Sequence, residues 1–148
     1  MAHEILAPWA EIVPDQKPMT VDEFLALPDD GRWQYELVEG RLVRMPGSGF
    51  EASLVAARLL AALLTFVESH DLGRVTGSDG TYDLTQPGDV GETGLVPDVA
   101  FVRTEHVPAR NSPEYTKAPR LAPDLVVEVV SPSQYRPEMA AKARLYLE

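Results

Sequence analysis

The stretch Asp124–Ser133, DLVVEVVSPS, sets four valines and a leucine around one carboxylate, Glu128. Pro123 precedes the run and Ser131-Pro132 breaks it, so Asp124–Val130 reads as a β-strand. Its apolar residues fall on both faces, which predicts a central strand of a sheet. A charge isolated in such a place costs several kcal/mol even after relaxation. Glu128 therefore needs a cation, a metal or a proton beside it. On an extended chain it shares a face with Asp124, Val126 and Val130.

A second apolar strand starts at a proline: PDVAFV, Pro97–Val102. Asp98 shares a face there with Ala100 and Val102. If the two strands are neighbours, one register sets Asp98 beside Glu128. Adjacent carboxylates repel unless something positive lies between them, and oxygen donors in a chain without cysteine suit a hard divalent cation. Plainer readings stand beside this one. Glu128 pairs equally well with Arg144 or Arg120, and Asp98 is an ordinary turn residue at a strand start.

Beyond Ser131-Pro-Ser133, Pro137 fits a first helical position and PEMAAKARLYLE continues as a helix. Lys142 shares its apolar stripe with Met139, Leu145 and Tyr146. Packed back on the sheet, this helix brings the ammonium group near Glu128, where a lysine can orient attacking water or stabilise charge on phosphate. The alternative is a surface pair with Glu138, four residues earlier.

Earlier in the chain, residues 1–18 read as irregular, interrupted by Pro8, Pro14 and Pro18. Thr20-Val-Asp-Glu23 matches a capping box and predicts a helix over Val21–Leu27. Tyr35–Met45, YELVEGRLVRM, reads as a hairpin turning at Glu39-Gly40. A two-residue turn sets Glu36 opposite Val43, an odd place for a solvated acid. Pro46–Gly49 is a loop. Glu51–Ser69 is helical, with Leu54, Val55, Leu59, Ala62, Leu63, Phe66 and Val67 on one side, and reads as the main core helix capped by Gly73. Arg74–Leu84 reads as a strand. Gln86–Gly94 is a loop whose acids, with Asp83, read as solvated. Residues 103–123 form a long connection carrying Arg103, Arg110, Lys117 and Arg120, suited to a DNA backbone or to nearby acids. His3, His70 and His106 lack metal-ligand spacing. The order helix, hairpin, helix, three strands, helix describes one α/β domain over residues 1–148.

The 148 residues are 45% hydrophobic, enough for a core, and contain no cysteine. No basic segment precedes an apolar core at the N-terminus, and the longest apolar run is short for a membrane span. A soluble, cytoplasmic protein is expected. The net charge of −10 argues against a generic nucleic-acid coat protein. It is compatible with an enzyme that holds divalent cations.

YELVEG, PDVAFV and DLVVEVVSPS, in this order and spacing, resemble the Uma-type restriction endonucleases of the PD-(D/E)XK nuclease superfamily. The resemblance runs from about Met19 to Glu148. It implies a restriction-endonuclease-like core, a small mixed β-sheet flanked by helices behind an N-terminal hairpin. It also implies metal-dependent hydrolysis of DNA phosphodiester bonds with Mg2+ or Mn2+. Asp98 and Glu128 match the metal-binding acids, and Glu36 matches an acid of the first hairpin that supports them. The lysine of the E-x-K element falls on Val130, which leaves Lys142 as its migrated substitute. Where members often carry a histidine before the long helix, this chain has Glu51-Ala52. Members also continue past the terminal helix into a further strand, so an uncovered sheet edge or apolar face, and with it a homodimer, is expected here. Two other functions fit: a catalytically inactive nuclease-like module that binds a protein, and a hydrolase of another phosphate ester.

Overall fold

The computed structural model describes residues 6–132, 134 and 136–148. Ser133 of the strand-breaking loop and His3 lie outside them. In chain order the elements are β1 (Glu11–Ile12), α1 (Val21–Leu25), β2 (Trp33–Val38), β3 (Arg41–Pro46), α2 (Phe50–Ser69), β4 (Gly73–Thr76), β5 (Tyr82–Asp83), β6 (Gly94–Leu95), β7 (Val99–Arg103), a 3-10 turn (Thr104–His106), α3 (Pro113–Thr116), β8 (Leu125–Val127) and α4 (Arg136–Leu147).

The hairpin forms as its sequence predicts. Glu39 and Gly40 both take positive φ, 49° and 76°, the two-residue turn whose twist matches paired strands. Glu36 consequently sits opposite Val43. The α1 capping box is complete, with Glu23 N–H donating to Thr20 Oγ1 at 3.1 Å and Thr20 N–H to Glu23 Oε2 at 2.8 Å. This helix ends at Leu25, two residues earlier than expected.

The α/β class holds, but two antiparallel sheets replace the expected single mixed one. One has the order β1-β3-β2-β6-β5 and the other β4-β7-β8. The physical reason lies in Arg74–Leu84, which is not one strand. A turn closed by Gly80 N–H on Gly77 C=O (3.2 Å) breaks it, sending β4 to one sheet and β5 to the other. Nor is β8 central: it is a sheet edge, and Leu125 is exposed there. Residues 1–18 were expected to be irregular. From Ala7 onward they instead put Ala7 and Trp9 into the core and add β1 to β3. The core itself is built from Val38, Val43, Tyr82, Leu95, Ala100, Val102, Met139 and Tyr146, between the two sheets and α4.

The largest departure concerns α2. It packs on β4 and β7, but Ala52 and Val67 are its buried residues. Ala56, Leu60 and Leu63 complete the inner stripe as partly buried neighbours. Leu54, Val55, Leu59 and Phe66, expected on the core side, are exposed. Periodicity cannot choose a face on a helix that is apolar almost all round. Its end also differs from expectation. Asp71, at φ 50°, takes the left-handed position, with Asp71 N–H on Glu68 C=O and Leu72 N–H on Val67 C=O.

Gly73 serves a different purpose. A Cβ there would lie 2.0 Å from Val102 O, where β4 meets β7. Gly73→Ala is expected to cost about 1–3 kcal/mol, because backbone rather than a mobile side chain must give way. Thermal unfolding followed by circular dichroism measures it, and an unchanged midpoint contradicts the close approach.

Candidate active site

Four elements, β2, β7, β8 and α4, carry the site. Glu36 projects from β2 into the interior, where it is 1% exposed. Its Oε2 accepts from Trp9 Nε1 at 3.0 Å and its Oε1 from Val96 N–H at 2.8 Å. From α4, Lys142 is equally buried, and its Nζ lies 2.9 Å from Glu36 Oε1 and 2.6 Å from Glu128 Oε1. Tyr146, one helical turn after Lys142, donates its hydroxyl to the same Glu128 oxygen at 3.2 Å. Glu128 follows directly on β8.

Asp98 immediately precedes β7. Val99 pairs with Val127, and the antiparallel register carried one residue further sets Asp98 opposite Glu128. Its Oδ2 accepts from Val129 N–H at 2.6 Å. Glu36, Asp98, Glu128 and Lys142 all line one cleft of about 1020 Å³. The four residues singled out in the sequence are thus brought together. Two partners escaped that reading. Tyr146 was legible, since it shares a helix face with Lys142. Trp9 gave no local signal, because only tertiary folding carries it to Glu36.

Two of the plainer pairings do not match the geometry. Arg120 pairs with Asp83 at 3.2 Å, so it does not serve Glu128. Lys142 turns inward to Glu36 and Glu128 instead of pairing with Glu138 on the surface. Two of the acids read as solvated are structural. Asp83 is buried against Arg120, and Glu92 Oε2 accepts Val21 N–H at 2.6 Å, steadying the start of α1. Among the basic residues of the long connection, Arg103 pairs with Glu105 and Lys117 with Asp22.

Burial pushes the Glu128 carboxyl up to about 7; Lys142 opposes the rise, and the Glu36 and Asp98 charges add to it. Burial alone would lower the Lys142 ammonium, but the Glu36 and Glu128 carboxylates outweigh it and hold the pKa above the ordinary lysine value. Lys142 is therefore a fixed positive charge at neutral pH, not a base. Burial also raises the Tyr146 phenol, which keeps it a donor.

These directions give a stability prediction. An unfolded Glu128 loses its proton near 4.5, while the folded one keeps it to about 7. The stabilisation from this group is complete below 4.5 and is lost as pH rises through 7, a change on the order of 3 kcal/mol. Urea midpoints are expected to fall between pH 5 and pH 8 in the native protein. In Glu128→Gln that fall should disappear; a variant that retains it rules out Glu128 as its source.

The donor chemistry fits a hard cation. Among the described residues no three acidic or histidine side chains converge into a metal cage. Mg2+, however, is commonly held by one or two carboxylates with waters completing the shell. Asp98 Oδ1 and Glu128 Oε2 make no hydrogen bond among the described residues.

A family model described as "Uma2: Putative restriction endonuclease" matches residues 21–148. The chain belongs to the Uma2 family. No curated protein matches it. Among solved structures, it is similar to a crystal structure of "a putative nuclease belonging to DUF820" from Anabaena variabilis ATCC 29413. The two are 22% identical with a TM-score of 0.64, over 88% of this chain and 68% of that one. At that identity the likeness is one of fold, and it agrees with the restriction-endonuclease-like architecture. The Uma2 match takes in Glu36, Asp98, Glu128 and Lys142, and leaves Trp9 outside its span.

Proposed function

We propose that this Uma2 chain is a metal-dependent endodeoxyribonuclease acting in the cytoplasm. The observation that carries the reading is the Lys142 ammonium held between Glu36 and Glu128, in a cleft where Asp98 stands opposite Glu128. Asp98 and Glu128 would hold Mg2+ or Mn2+. Such an ion neutralises phosphate charge and lowers the pKa of water.

The chain's own residues do the rest. Lys142 presents a fixed charge to the phosphodiester in the cleft, where low dielectric strengthens it. Glu36 positions that charge through its 2.9 Å contact and is itself fixed by Trp9 and Val96. Tyr146 holds the Glu128 carboxylate in place.

A second reading is an inactive module that binds a protein. It is favoured by the closure of the Lys142–Glu36–Glu128 cluster, which satisfies its charges without substrate, and by the net charge of −10. Nicking of supercoiled plasmid with Mg2+ or Mn2+, abolished by EDTA, separates the two. An intact plasmid under all metal conditions rejects the nuclease.

A further inference from the structure

A helix that is apolar on every side is ordinarily buried on every side. α2 breaks that rule. By length and composition it is apolar enough to cross a membrane, yet most of it faces water. On the side away from the sheet, Leu54 and Leu64 are exposed, with Ala57 and Ala61 exposed beside them. We propose that this face is the seam of a two-fold homodimer, with α2 of one copy lying antiparallel across α2 of the other.

The sequence of the exposed face selects the occupant. The side turned away from the sheet carries Leu54, Arg58, Ala61, Thr65 and Glu68, at alternating steps of four and three residues. Arg58 and Glu68 make no ion pair among the described residues. They are ten residues apart, about 15 Å along the axis, and so cannot reach each other.

Reversal of the helix about Leu63 exchanges Arg58 with Glu68 and Ala61 with Thr65. An antiparallel second copy centred there meets each Arg58 with the other copy's Glu68, twice. The small Ala61 and Thr65 fall at the crossing, where the backbones must approach. This is the self-complementarity a closed two-fold interface requires. α2 carries three formal charges, Glu51, Arg58 and Glu68, in a chain whose net charge of −10 makes most other faces repel a copy of themselves. The inference stands independently of the chemistry of the cleft.

Sedimentation velocity tests it. At about 100 μM protein, enough to saturate a dimer with a Kd near 1 μM, the native chain is expected to be dimeric. Arg58→Glu and Glu68→Arg should each raise Kd at least about tenfold, by setting like charges face to face. The double variant Arg58→Glu/Glu68→Arg restores opposite charges across the axis and should regain the native Kd. A monomeric native protein overturns the proposal, as does a dimer indifferent to Arg58→Glu or a double variant that stays weak. Flotation of a monomer with phosphatidylcholine vesicles also overturns it, making α2 a membrane-facing helix.

Discussion

Glu128→Gln is expected to reduce plasmid nicking by about 10³-fold, the scale at which loss of one preorganised electrostatic group is felt in a catalytic site. The substitution keeps the shape of the side chain. Its carbonyl oxygen can still accept from Lys142 and from Tyr146, the contacts at 2.6 and 3.2 Å. Lys142 also retains Glu36 as a charged partner. The interior therefore stays satisfied, and at pH 8 the variant should be at least as stable as the native protein, because a buried carboxylate has been neutralised. What is lost is the negative charge opposite Asp98 that would hold the cation. The measurement pairs the nicking rate in Mg2+ with the urea midpoint of the same preparation. A folded variant that nicks within about tenfold of the native rate excludes Glu128 from the chemistry.

Glu36→Ala should act in the opposite way, through stability first. Glu36 is one of the largest fully buried side chains and accepts from Trp9 Nε1, Val96 N–H and Lys142 Nζ. Alanine removes all three acceptor contacts at once and leaves an ammonium buried with one remaining carboxylate. Breaking a buried pair from one side costs about 3–5 kcal/mol, with a further contribution from the orphaned indole and amide donors. In a domain of this size that corresponds to a fall in Tm of roughly 10–15 °C. Scanning calorimetry is the direct test, and a fall of less than about 3 °C contradicts the account of Glu36 as the anchor of the cluster.

Local sequence carried the reading where local physics decides the outcome. The turn residues Glu39-Gly40 fixed the hairpin register and hence the inward position of Glu36. The charge at Glu128 among valines demanded a partner, and the stripe of α4 supplied Lys142. Legibility failed mostly where the answer depends on what packs against what. One failure is local: Gly77-Ser-Asp-Gly80, a turn signal inside Arg74–Leu84, divides that segment between two sheets. β8 is apolar on both faces and still lies at an edge. α2 is so evenly apolar that its inner stripe is set by the sheet beneath it and not by its own period. Trp9 joins the site only through a contact spanning 27 positions, which no window of sequence contains.

Glu36 and Lys142 meet across 106 positions of sequence, with Asp98 and Glu128 supplied in between. A ribosome therefore delivers the acid of the hairpin long before the ammonium that neutralises it. Until the terminal helix has emerged and docked, the nascent polypeptide holds an incomplete constellation with an unmatched acid at its heart. Any chemistry that relies on the Lys142 ammonium must therefore wait until α4 has docked on the sheets.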